Sequence, residues 1–313
     1  SIVKWLSAGD RILTVDDLYG GAYRLFKQVY QKLAIDIDSV DTTDSSNLDA
    51  ALNERTRIVW LETPTNPTLK VSDIAAIARK AHANGAILVV DNTFASPLHQ
   101  NPILLGADIV IHSATKYIAG HSDLVGGLVA TANPELSEQI KFNQNAGGAI
   151  LGPWDCFLTL RGLETLPLRF KQQSDSGLEI ARFLQKCPEV KDVHYPGLES
   201  HLNHDLARKQ QGGEYGGVIS FSLQNDTEEA AVQFVSSTTF FKLAESLGGV
   251  KSLICHPARM THASVPREVR HASGVADSLI RLSCGIEDAA DLIEDLKQVF
   301  ELVTRTQERL VEV

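Results

Sequence analysis

AHANGAILVVDNTFASP (Ala81–Pro97) and GADIVIHSATKYIAGHSD (Gly106–Asp123) decide how this chain folds. Each holds an apolar, β-branched run, Ala86–Val90 and Asp108–His112, followed at once by polar residues. Short apolar runs without polar alternation predict strands covered on both faces, the habit of parallel sheets. Ahead of the first run, Val71–Asn84 repeats Ile74, Ile77, Ala78 and Ala81 at the spacing of a helix with one buried face. Ser72 is placed to cap that helix, Asp73 lies near its positive end, and Gly85 stops it. Moving outward, RILTV (Arg11–Val15) and RIVWLE (Arg57–Glu62) read as further strands, and GLVATA (Gly127–Ala132) as one of open direction. Strands alternating with helices predict an α/β architecture with a mostly parallel central sheet. Glu135–Gln185 reads as helical, broken at Gly147, Gly148 and Gly152–Pro153. GGVISFSL (Gly216–Leu223) and LIRLSCG (Leu279–Gly285) are strands again, and Ala289–Glu312 is a charged amphipathic helix. The expected organisation is a large domain over 1–170, including the start of an interdomain helical region, and a smaller C-terminal α+β domain over 171–313.

Composition narrows the function classes. The 313 residues are 43% hydrophobic and 22% charged, which is globular rather than disordered. No apolar run reaches membrane-spanning length, and Ser1–Asp10 does not read as a secretion signal. A net charge of −10 with scattered Lys and Arg argues against nucleic acid. Cys156, Cys187, Cys255 and Cys284 lack CxxC spacing, so they read as reduced thiols of an intracellular, cytoplasmic protein. Cys156 and Cys284 sit among apolar neighbours and are expected to be buried. His256 and His262, and His201 and His204, find no obvious third ligand, so no metal site is expected.

The polar residues after the strands carry the chemistry. Glu62, Asp91 and Ser113 each end an apolar run, where an open α/β sheet presents its ligand edge. Lys116 follows among Ser113, Thr115, Gly120 and Ser122. A lysine amine forms a Schiff base with an aldehyde. Nearby hydroxyls and turn amides donate to phosphate oxygens. Taken singly, a lysine is ordinarily a solvated surface group. Asp91 could pair with a protonated pyridine nitrogen or simply cap a turn. Asn66, between Pro64 and Pro67, could donate to a phenolic oxygen or serve the turn. Tyr19 could stack on a planar ring or pack in the core. Arg24 suits a carboxylate but equally a surface. Arg281, in an apolar run, must be paired, either by a structural acid or by a ligand carboxylate gripped through both prongs. No GxGxxG after the first strand, GxxxxGK[ST] or GxSxG motif is present.

Together these stretches resemble the transsulfuration family of pyridoxal-phosphate enzymes. DDLYGG, LETPTNP, VVDNTFASP, HSATKYIAGHSD, LRGLETLPLR, YPGL, ESLGGVKSL, MTHAS and LIRLSCGIED occur in the family's order over essentially the whole chain. The resemblance implies an aspartate-aminotransferase-like fold, pyridoxal 5'-phosphate as cofactor, a sulfur amino acid as substrate, and a homotetramer of two catalytic dimers. It implies Lys116 as the lysine that bonds the cofactor, Asp91 at the ring nitrogen, and Tyr19 stacked on the ring with a part in proton transfer. Ser113 and Thr115 would hold the phosphate. Asn66 and Arg281 would surround the substrate α-carboxylate and the phenolic oxygen. Glu62 matches an active-site carboxylate of the family.

Specificity follows from fewer residues. Gly21 stands where members similar to methionine γ-lyase carry Cys after Tyr-Gly. Glu245 matches a glutamate of the cystathionine γ-lyases and γ-synthases, and would attract the distal ammonium of cystathionine. Arg24 would bind the distal carboxylate, and Ser246 would also touch substrate. The resemblance therefore implies γ-elimination of cystathionine, with γ-synthase, β-lyase and a non-catalytic scaffold as the alternatives. The family pattern also has a segment ahead of the match to Ser1–Asp10. It carries a glycine-containing phosphate loop and a tyrosine and arginine that reach a neighbouring subunit's phosphate. The expectation is that residues 1–313 lack that N-terminal part of the large domain and are not fully active alone.

Overall fold

A computed structural model describes residues 1–311, with side chains as far as Val303. Six strands form the first sheet: β1 (Arg11–Val15), β2 (Asp36–Val40), β3 (Thr56–Glu62), β4 (Ile87–Asp91), β5 (Ile109–Ser113) and β6 (Gly127–Ala130). Their spatial order is β2-β1-β3-β4-β5-β6. The first five are parallel; β6 closes the edge antiparallel to β5, which resolves the direction left open for GLVATA. Ile12, Leu13, Ile58, Leu61, Leu88, Val90 and Ile109 are fully or almost fully buried. That is the two-sided covering expected of uninterrupted apolar strands.

The second sheet contains β7 (Val190–His194), β8 (Val218–Leu223), β9 (Lys242–Leu243), β10 (Leu253–Cys255) and β11 (Leu279–Ser283), in the order β7-β8-β11-β10-β9. Its pairings are antiparallel except for β9 with β10. Phe221, Phe234, Ile280, Leu282 and Leu296 build a separate core beneath it. The helix Ala289–Val311 packs on that core through Leu292, Leu296 and Val299; Glu312, the last residue of the expected helix, lies outside the described residues.

A third cluster joins the two sheets. Tyr117, Ile118, Leu166, Phe170, Val218 and Leu247 are buried together. The Tyr117 ring lies 4.9 Å from that of Phe170, and its hydroxyl accepts the Gly217 N–H at 2.9 Å. The residue next to Lys116 is therefore fixed to the entrance of β8. Among the described residues no helix is long and apolar enough to cross a membrane.

Two expectations need correction. Asp73, rather than Ser72, caps the helix Ile74–Ala83: its Oδ1 accepts the Ala76 N–H at 2.9 Å. Ser72 is buried and its hydroxyl meets Thr42 Oγ1 at 2.7 Å instead. Cys156 is exposed, not buried. It rides on the helix Pro153–Leu163, whose Trp154, Phe157 and Leu160 also face outward. Cys284 is buried as expected. Losing the observed cap in Asp73→Ala should destabilise the chain by about 1 kcal/mol. Denaturant unfolding checks this, and a midpoint equal to wild type would remove the cap's contribution.

Candidate active site

The carboxyl ends of β3, β4 and β5 place Glu62, Asp91 and Ser113 along one edge of the first sheet. Glu62 and Asp91 are direct partners across the β3–β4 register. Burial raises both carboxyls above the usual range, and for Glu62 the Asp91 charge adds to the rise. Glu62 Oε2 accepts the Tyr19 N–H at 2.8 Å, so the start of the helix Gly20–Arg24 is tied to the same edge. Asp91 Oδ1 accepts the Thr93 N–H at 2.9 Å. Thr93 Oγ1 in turn accepts the Ser113 N–H at 2.8 Å, locking the exit of β4 to that of β5.

Lys116 lies in the turn after β5. Its Nζ donates to Ser246 Oγ at 2.9 Å. The Ser246 carbonyl accepts from Arg281 Nη2 at 2.9 Å, and Arg281 Nη1 donates to Asn66 Oδ1 at 2.7 Å. Four residues from separate stretches thus form one continuous contact chain. Ser246 holds φ at 90°, in the left-handed region, a conformation that persists only where surrounding contacts impose it. Arg281 is 2% exposed, and no carboxylate pairs with it among the described residues. Its Nε is buried without a partner. The structural-acid reading of Arg281 therefore falls away. Burial and the Arg281 cation lower the Lys116 amine to about 8, while Glu245 pulls weakly the other way.

The remaining residues sit less centrally. Glu245 is exposed, though its charge acts on Lys116 and Cys255. Arg24 is exposed at the end of its short helix and touches Ser264 Oγ at 3.4 Å. It does not join the Lys116 contact chain. Thr115 Oγ1 accepts the Gly126 N–H at 3.0 Å and donates to Gly126 O at 3.3 Å. Tyr19 is 40% exposed, and a Cβ on Gly21 would fall 2.4 Å from its ring. The absence of a side chain at residue 21 therefore leaves the ring its place. The four paired histidines make internal contacts: His201 with Leu69 O, His204 with Pro196 O, His256 with Asp277 O, and His262 with Thr261 Oγ1.

Sequence reasoning did not single out Thr93, and it read Cys255 only as a reduced thiol, not as a neighbour of Arg281. Cys255 lies opposite Arg281 in the β10–β11 register, with its thiol held above the usual range by burial. The only sequence signal for it was strand β10, too short to show a period.

A family model described as Cys/Met metabolism PLP-dependent enzyme matches residues 1–301. The chain is 47% identical over 301 residues to a cystathionine gamma-lyase of Bacillus subtilis, covering 96% of this chain and 79% of that protein. It is 50% identical over 301 residues to a cystathionine beta-lyase of Lactococcus lactis subsp. cremoris, covering 96% and 78%. The crystal structure of cystathionine gamma-lyase from Lactobacillus plantarum complexed with L-serine superposes with a TM-score of 0.93 at 42% identity, covering 97% of this chain and 79% of that one.

The electrostatics of the amine are directly measurable. Acylation of Lys116 followed by mass spectrometry against pH should show a midpoint near about 8. Arg281→Met removes a cation that disfavours the ammonium, so its midpoint should rise. Glu245→Gln removes an anion that favours the ammonium, so its midpoint should fall. Shifts of the opposite sign would contradict this arrangement.

Proposed function

The chain belongs to the Cys/Met metabolism family of PLP-dependent enzymes, and from that membership we propose that it cleaves cystathionine by γ-elimination to cysteine, 2-oxobutanoate and ammonia. The broader activity, PLP-dependent carbon–sulfur lysis in transsulfuration, follows from the family and is common to both kinds of relative. The observation that carries the reading is the contact chain from the Lys116 amine through Ser246 to the doubly engaged Arg281, with burial and that cation lowering the amine's basicity.

The residues present fit pyridoxal phosphate. Arg281 Nε is buried with no partner, a lysine amine of depressed basicity stands beside it, and acidic groups end the adjoining strands. When bound, the cofactor supplies an aldehyde for amines and a cationic ring that draws electrons from the substrate. Lys116 would hold the aldehyde, and Asp91 would keep the ring nitrogen protonated. Ser113 and Thr115 would hold the phosphate. Tyr19 would cover the ring and help move protons. Asn66 and Arg281 would grip the substrate carboxylate and the phenolic oxygen. Guanidinium geometry suits a carboxylate held by two parallel bonds.

Lys116 would also serve as the base. As a free amine beside bound substrate it would take the α-proton, and its lowered basicity suits proton transfer near neutrality. For γ-cleavage Lys116 would first return the α-proton to the substrate–cofactor adduct. As a free amine again, it would take a proton from the β-carbon and pass it to the departing sulfur, so that cysteine leaves as the thiol. Water would release 2-oxobutanoate and ammonia. Glu245, close enough to act on Lys116, would face the distal ammonium. Arg24, with one long contact to Ser264, would take the distal carboxylate. The outward face of Trp154, Phe157 and Leu160 supports a contact with a second copy of the chain.

Cystathionine turnover should yield 2-oxobutanoate; pyruvate instead would establish β-cleavage. Cysteine condensing with an activated homoserine ester would establish the synthase. Lys116→Ala should lose the visible cofactor absorbance and most turnover; retained absorbance with full turnover would refute the assigned lysine. Glu245→Gln should raise KM for cystathionine on the order of fivefold, the scale of an exposed ion pair. Unchanged KM would remove Glu245 from substrate recognition.

A further inference from the structure

Arg169, on the helix Leu166–Leu184, is 4% exposed and meets no carboxylate among the described residues. Its guanidinium is bound by neutral oxygens instead. Nε donates to Thr165 Oγ1 at 3.0 Å, and Nη1 donates to Tyr117 O at 2.8 Å. Nη2 donates to Gly162 O at 2.8 Å and to Ile118 O at 3.2 Å. Burial works against the charge and lowers the basicity of the group. A buried cation without an anion is costly, and packing alone is served as well by an apolar chain of similar volume. The guanidinium must therefore do something that an apolar chain cannot.

Its partners show what that is. Tyr117 O and Ile118 O are the two carbonyls that directly follow Lys116. Lys116 O accepts the Gly120 N–H at 2.8 Å, closing the turn over the guanidinium. Gly120 has φ of +71°, and a Cβ there would lie 2.0 Å from Arg169 Nη1. Gly162 O belongs to the last residues of the helix Pro153–Leu163, where the helix dipole favours a cation. The turn that carries Lys116 is thus wound around one charged fork, itself anchored in two helices.

We propose that Arg169 is a positioning residue for Lys116, fixing the backbone from which the amine swings between cofactor and substrate. It touches neither reacting group and acts through the Tyr117 and Ile118 carbonyls. The inference rests on Lys116 being the cofactor lysine. It predicts that removing the fork disturbs the chemical step more than substrate binding.

The test uses the full chain loaded with cofactor, as wild type, Arg169→Met, Arg169→Lys and Lys116→Ala, with hydrogen exchange over residues 114–121 on the cofactor-free proteins. Arg169→Met should lower kcat per bound cofactor on the order of 10²-fold while KM stays within about threefold. The Ala119 and Gly120 amides should exchange faster, and Arg169→Lys should recover part of both losses. Unchanged kcat and exchange in Arg169→Met would overturn the proposal. So would a loss of total activity that merely tracks the amount of folded protein. If Arg169→Met does not fold, Arg169→Lys decides: lower kcat with faster exchange supports the role, and wild-type values in both refute it. Lys116→Ala separates the premise. Absorbance retained there defeats the assignment of Lys116, whereas absorbance lost there with wild-type behaviour in both Arg169 variants defeats this inference alone.

Discussion

The Arg281 guanidinium is the interaction on which the rest of the site depends. One prong reaches Asn66, in the loop after β3 of the first sheet; the other reaches the Ser246 carbonyl beside the second. A single buried charge thus bridges both halves of the chain. In a low-dielectric setting a cation is felt strongly by its neighbours. One titratable group that feels it is Lys116, whose amine is brought down to about 8 by burial together with Arg281. The same group that would recognise a carboxylate therefore also lowers the basicity of that amine. Under the proposed roles, recognition and reactivity would be coupled by charge.

The opposite sign is collected along the first sheet's edge. Glu62 and Asp91 are neighbours in register, and burial raises both carboxyls, with the Asp91 charge adding to the rise at Glu62. Two like charges this close resist simultaneous ionisation. A cationic ring would relieve that conflict, while Glu62 also tethers Tyr19 through its backbone N–H. Parallel topology makes the arrangement possible, because it brings the ends of β3, β4 and β5 to one side.

Much of this was legible in the sequence, and the reason is the short apolar runs that lack polar alternation. The runs that became β1, β3, β4 and β5 are uninterrupted and apolar, so their ends, with Glu62, Asp91 and Ser113, could be placed before the fold was seen. Strand β2 was missed because DIDSV is mostly polar at the sheet's edge. Ser72 and Asp73 are both good caps, and tertiary burial of Ser72 decided between them. Cys156 was misjudged because apolar neighbours on a helix do not say which way the helix faces. The Arg281–Asn66 bond joins residues 215 apart, and no pattern of neighbours encodes such a meeting. Lys116 and Asp91 stood out through their strands; the contacts that tune the amine did not.

The phenol of Tyr117 gives the two sheets a mechanical connection. It accepts the Gly217 N–H at the mouth of β8, while its own backbone adjoins Lys116. A shift of the second sheet against the first would therefore be felt at the backbone beside that amine. The short arm of that linkage is a single residue long, so the position of the second sheet and the aim of the Lys116 nitrogen are set together.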